Sequence, residues 1–140
     1  MSIFKKVFGT SKRTEDYKHA PISKEVSDVL SMLKSPDLTT RMTALAQASR
    51  LAVNNKAGVI KAYVVALKDP EPMVRNTVLY LLPEVATPSS TVPASLIFSK
   101  VLRESPDRHD LLKALEHLAQ SSSDKAEMEA AQRALDAVKS

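Results

Sequence analysis

The side chains in this 140-residue chain that could do chemistry are few: three histidines, His19, His109 and His117, and no cysteine. Metal binding or acid–base catalysis would need several such groups to converge. His109 and His117 stand eight residues apart in a stretch of helical pattern. That spacing sets them about 80° apart around the helix and two turns along it, too far to share one ion. His19 falls in a polar linker. The missing thiols remove a cysteine nucleophile, thiolate metal sites and disulfides, and they fit a reducing cytoplasm. No glycine-rich phosphate loop or nucleophile elbow occurs. The expectation is a protein with no catalytic residue, no metal and no cofactor.

Charge and proline are concentrated elsewhere, in Leu67-Lys68-Asp69-Pro70-Glu71-Pro72-Met73-Val74-Arg75. A weaker copy, Leu33-Lys34-Ser35-Pro36-Asp37-Leu38-Thr39-Thr40-Arg41, lies 34 residues upstream. Each has an apolar approach, an acidic proline turn, an arginine, and then an apolar helical run. At this offset Val26/Ile60, Leu33/Leu67, Asp37/Glu71, Arg41/Arg75, Leu45/Leu79 and Ala52/Ala86 agree in kind. A third turn, Ser105-Pro106-Asp107, repeats Ser35-Pro36-Asp37, with Leu111 where the arginine would be. Recurrence at this period marks stacked helical hairpins.

The elements positioning these turns are helices throughout, because apolar residues recur at three- and four-residue steps and strand alternation is absent. Ile22, Val26, Val29, Leu30 and Leu33 form the first stripe; Leu38, Met42, Leu45, Ala48, Leu51 and Ala52 the second. Val59, Ile60, Tyr63, Val64 and Leu67 form the third, and Val74, Val78, Leu81, Leu82 and Val85 the fourth. Pro72 suits a first helical turn, whereas Pro83 should kink or end the fourth helix. After a proline- and serine-rich connection come Leu96, Ile97, Val101 and Leu102, then Ala114 and Leu115. A final helix opens near Asp124 and Glu127, with Met128, Ala131, Leu135 and Val138 on one face. Its other face is mostly polar, as a cap on a stack requires.

The pattern Leu-x-Asp-Pro-Glu-x-x-Val-Arg followed by an apolar helix resembles the HEAT repeat family, including its short bacterial form. The resemblance covers residues from about 22 to 138. Tetratricopeptide repeats share the period, but their Trp-x-x-Leu-Gly-x-x-Tyr pattern is missing. HEAT membership implies an all-α right-handed solenoid, here of about three hairpins plus a capping helix. It also implies a ladder of turn acids and arginines between repeats, which maps to Asp37, Arg41, Glu71 and Arg75. The histidines lack the His-Glu motifs of di-iron hydroxylases built from such repeats, and no phycobilin-lyase motif is present. On this fold the second helix of each pair lines the concave side, so Met42, Ala46, Arg50, Asn76, Tyr80, Glu84, Leu112, Glu116 and Gln120 become candidate partner contacts. Tyr80, a large amphipathic ring, is the first choice for an anchor.

Residues 1–24 carry six basic and two acidic side chains, and the fourteen of each sign in 25–140 cancel. The net charge of +4 therefore belongs to the N-terminal end. A neutral body argues against nucleic-acid binding there, leaving the basic tail as the alternative route to it. No apolar run long enough to span a membrane occurs. Ile3, Phe4, Val7 and Phe8 share one side of a two-turn helix, with Lys5 and Lys6 opposite. This segment suits an anchor on an anionic membrane surface, insertion into a partner's groove, or a cover for the first repeat. Residues 1–20 thus form a basic amphipathic segment with its linker, and 21–140 the helical domain. The expected function is a non-catalytic protein–protein adaptor in the cytoplasm, either free or peripheral to the inner face of the membrane.

Overall fold

The computed structural model describes residues 22–140, which form seven α-helices: α1 Lys24–Met32, α2 Leu38–Val53, α3 Val59–Ala66, α4 Pro72–Val85, α5 Ala94–Glu104, α6 Arg108–Ser121 and α7 Lys125–Lys139. Among the described residues the one β-type contact is an isolated bridge between Ser89 and Val92. No described helix is long and apolar enough to cross a membrane. The N-terminal candidates Ile3, Phe4, Lys5, Lys6, Val7 and Phe8 lie outside the described residues.

Helix starts follow local side-chain chemistry. Ser23 accepts from the Val26 N–H, Asp37 from the Thr40 N–H and Asp124 from the Ala126 N–H, each satisfying a donor that the helix leaves unpaired. Pro72 occupies the first turn of α4, where its absent N–H costs nothing. Pro83 does not stop that helix, which continues to Val85. The proline- and serine-rich connection is held by buried Ser95. Its hydroxyl donates to the Val92 carbonyl at 2.7 Å and accepts from the Ser89 N–H at 2.8 Å.

Helix α3 is at the centre. Val59, Ile60, Ala62, Tyr63, Val64 and Ala66 are all buried, leaving only Lys61 and Val65 exposed. A helix apolar nearly all round must be enclosed, and α1, α2, α4 and α6 all pack on this one. Tyr63 shows how tightly the centre is specified. Its ring lies 5.7 Å from that of Phe98 on α5, and its hydroxyl is 3.2 Å from that of Ser49 on α2. Burial pushes the Tyr63 phenol up to about 12.

The stripe expected on α5 is rotated. Ser95, Phe98, Ser99, Val101 and Leu102 face inward, and Leu96 and Ile97 face solvent. Phe98 wins the inward place because it meets Tyr63. The packing order also departs from a simple sequential stack, in which α4 would lie mainly along α6. Its principal partner is α7, while α3 lies against α6 and α5 packs on both α2 and α4. Helices α6 and α7 share the most extensive helix–helix contact, tied at one end by Arg108 Nη2, which donates to the Val138 carbonyl at 2.9 Å.

Candidate interaction surfaces

The two arginines of the repeated turns are placed alike. Arg41 Nη1 donates to the Ser35 carbonyl at 3.0 Å, and Arg75 Nη1 to the Asp69 carbonyl at 2.7 Å, each reaching back six residues. These contacts bind carbonyls in the turns preceding α2 and α4. The carboxylates the arginines meet are not the expected ones. Arg41 Nε lies 2.9 Å from Oδ2 of buried Asp69, a contact of charge in which the N–H is not aligned for a hydrogen bond. Arg75 is held by buried Glu127 through Nε to Oε2 at 2.6 Å and Nη2 to Oε1 at 3.3 Å.

Asp37 and Glu71 do other things. Asp37 accepts from the Thr40 hydroxyl at 2.7 Å and from its N–H at 3.1 Å, and these bonds hold its carboxyl below the usual aspartate range. Glu71 precedes α4 with an exposed side chain that makes no cap bond. The reason lies in the turn sequence. Asp69 stands where the first and third turns have Ser35 and Ser105. With no acid at Ser105, Arg75 meets an acid on α7 instead, and Asp107 lies 3.8 Å from Lys61. Ser122 completes the Arg75 site by donating to Glu127 Oε1 at 2.7 Å. The Arg75 hydrogen bonds, aided by that of Ser122, outweigh the opposing effect of burial and hold the Glu127 carboxyl below the usual glutamate range.

Between α2 and α4 runs a groove of about 390 Å³ lined by Met42, Leu45, Ala46, Ser49, Thr77, Tyr80, Leu81 and Glu84. Four of the candidate contacts meet here: Met42, Ala46, Tyr80 and Glu84. The Thr77 hydroxyl donates to the Met73 carbonyl at 2.8 Å and stands 3.9 Å from Met42 Sδ, so α4 and α2 touch across the floor. Tyr80 is 56 % exposed at the lip. Asn76 is half-buried on α4 without lining the groove. Arg50 lines a separate depression with Glu25, Asp28 and Asn54. Leu112 and Glu116 sit on α6, whose neighbours are α3, α5 and α7, and are not brought to the α2–α4 groove.

A larger cleft of about 610 Å³ opens where the turn before α4 faces α6. Lys68, Asp69, Pro70 and Arg75 form one wall. Asp110, Lys113, His117 and Ser121 form the other, with Leu67, Ala114, Leu118, Ser122 and Glu127 completing the lining. None of the candidate contact residues lines this cleft, although Arg75 of the repeated turn does. The cleft's signal in the sequence is the polar stripe at positions 110, 113, 117 and 121, which shares one side of α6 with Ala114. His109 is not part of the lining. Among the described residues no group of three His, Asp or Glu side chains is placed to hold a metal ion.

No protein-family model, curated protein or solved structure matches the chain.

Proposed function

We propose that the chain is a non-catalytic binding module of the HEAT-like type, which receives a segment of a partner protein in the groove between α2 and α4. The observation that carries this function is Tyr80, more than half exposed at the lip of a groove that it shares with Met42, Ala46 and Leu81. Large exposed rings beside an apolar trough are frequent anchors of protein interfaces. Glu84 is the one carboxylate in the lining and has no basic side chain or imidazole beside it there. A complementary partner segment therefore carries an apolar side chain flanked by lysine or arginine. The matching Arg-to-carbonyl contacts of Arg41 and Arg75 support a repeat origin for the scaffold that holds the two helices.

Selection of random peptides on the full-length chain tests this function. Enriched peptides should share an apolar anchor next to a basic residue, and Tyr80→Ala and Glu84→Lys should each abolish their binding without lowering the melting temperature. Enrichment of acidic peptides, or of peptides indifferent to both substitutions, would place the binding surface elsewhere.

A further inference from the structure

We propose that the cleft between the Lys68–Pro70 turn and α6 is a second, separate binding site, which takes a small anionic group, carboxylate or phosphate, carried on an apolar body. The site shares no lining residue with the α2–α4 groove and does not depend on it. Its volume of about 610 Å³ is in the range of small-ligand pockets.

Charge decides the class of ligand. Both buried carboxylates of the cleft are already engaged: Asp69 is met by Arg41, and Glu127 by Arg75 and Ser122. Lys68 and Lys113 form no ion pair among the described residues, although they stand on opposite walls of the same cleft. His117 lies one turn beyond Lys113 on the α6 wall. Against these cationic and donor groups the lining offers one carboxylate, Asp110, that is unengaged among the described residues. Arg75 is fixed by three hydrogen bonds and still has guanidinium N–H donors to spare. An anion here would gain charge-assisted bonds from both walls, and an apolar body would lie against exposed Pro70 and the methylene stems of the two lysines, above the buried Leu67, Ala114 and Leu118. A ligand cation would meet the ammonium groups of Lys68 and Lys113 instead.

The test is an amide chemical-shift titration of the full-length chain with hexanoate, hexyl phosphate and the capped peptide acetyl-Leu-Leu-Glu-amide, with hexylamine as the cationic control. Saturable shifts at Lys68, Asp69, Lys113, His117 and Ser121, without shifts at Tyr80, are the expected result. The probe that binds tightest distinguishes a free carboxylate, a phosphate or a peptide side chain as the source. Both lysines are exposed, so the Lys68→Gln/Lys113→Gln variant should fold normally while weakening binding by about tenfold or more. The proposal is overturned by the absence of saturable shifts with all three anions, by unchanged affinity in the double variant, or by hexylamine binding as tightly as the anions.

Discussion

Arg75 and Glu127 are 52 residues apart in the chain and share two hydrogen bonds at 2.6 and 3.3 Å. The pair joins the first turn of α4 to the first turn of α7, along the longest contact that α4 makes with any helix. Arg41 meets Asp69 in the turn before α4, whereas Arg75 meets Glu127 on α7, the matching position Ser105 carrying no charge.

Removing one partner should be far worse than removing both. Arg75→Ala leaves Glu127 buried without its cation, with an expected loss of about 2–4 kcal/mol. The double variant Arg75→Met/Glu127→Met, which leaves no stranded charge, should lose roughly half of that or less. Urea denaturation of the two single variants and the double variant gives the coupling directly.

Acid should dissolve this contribution. The folded-state carboxyl of Glu127 is depressed, so as pH falls the unfolded chain takes up the proton first and is favoured. The stabilisation is complete above the ordinary glutamate value of 4.5 and is lost as pH falls through the lower folded value. Melting temperatures of the wild type and Glu127→Gln should therefore differ at neutral pH and converge in acid. A gap that stays constant down the whole acid range would show that the pair is not the source.

Gly58 is required where α3 begins. Its φ is +85°, and a Cβ placed there would stand 2.9 Å from Ile22 Cγ1. Half-exposed Ile22 can move aside, but the left-handed backbone cannot be relieved in that way. Gly58→Ala should cost about 1–2 kcal/mol, and adding Ile22→Ala should recover only a minor part, as read by thermal unfolding.

The local part of this fold was written in the sequence. Asp37 and Asp124 begin helices, Pro72 sits in a first turn, and the stripe from Val59 to Leu67 marks a helix that is buried. These features depend on residues within a turn or two of each other. Which stripe meets which is a different matter. Nothing in the periodicity of α4 distinguishes α6 from α7 as its neighbour, because both present apolar faces rich in alanine and leucine. The apolar stripe of Leu96, Ile97, Val101 and Leu102 predicts all four in the core, yet the ring of Phe98 and its match with Tyr63 set the rotation of α5 and leave Leu96 and Ile97 outside.

The candidate surface divides along the same line. Met42, Tyr80 and Glu84 converge because the helices carrying them touch through Thr77 and Met42. Repeat equivalence brings Leu112 and Glu116 to the same surface only if α6 packs along α4. It is α7 that packs along α4, and they are left on another part of the surface. The repeat pattern does not point to Asp69 and Glu127 as arginine partners for a related reason: one sits two residues before the turn acid, and the other on the helix that the pattern makes a cap.

The central claim is that Tyr80 and Glu84 face a partner segment of apolar and basic character. It is tested most directly by replacing Tyr80 with the photo-crosslinking residue p-benzoylphenylalanine in the cell that makes the protein. The same replacement at exposed Glu129 on α7 serves as the control. The account predicts a protein adduct from position 80 and none from position 129. The cross-linked peptide should contain an apolar residue beside lysine or arginine, and Glu84→Lys should remove the adduct. An adduct formed equally from both positions, one that survives Glu84→Lys, or one that maps to an acidic segment would contradict the account.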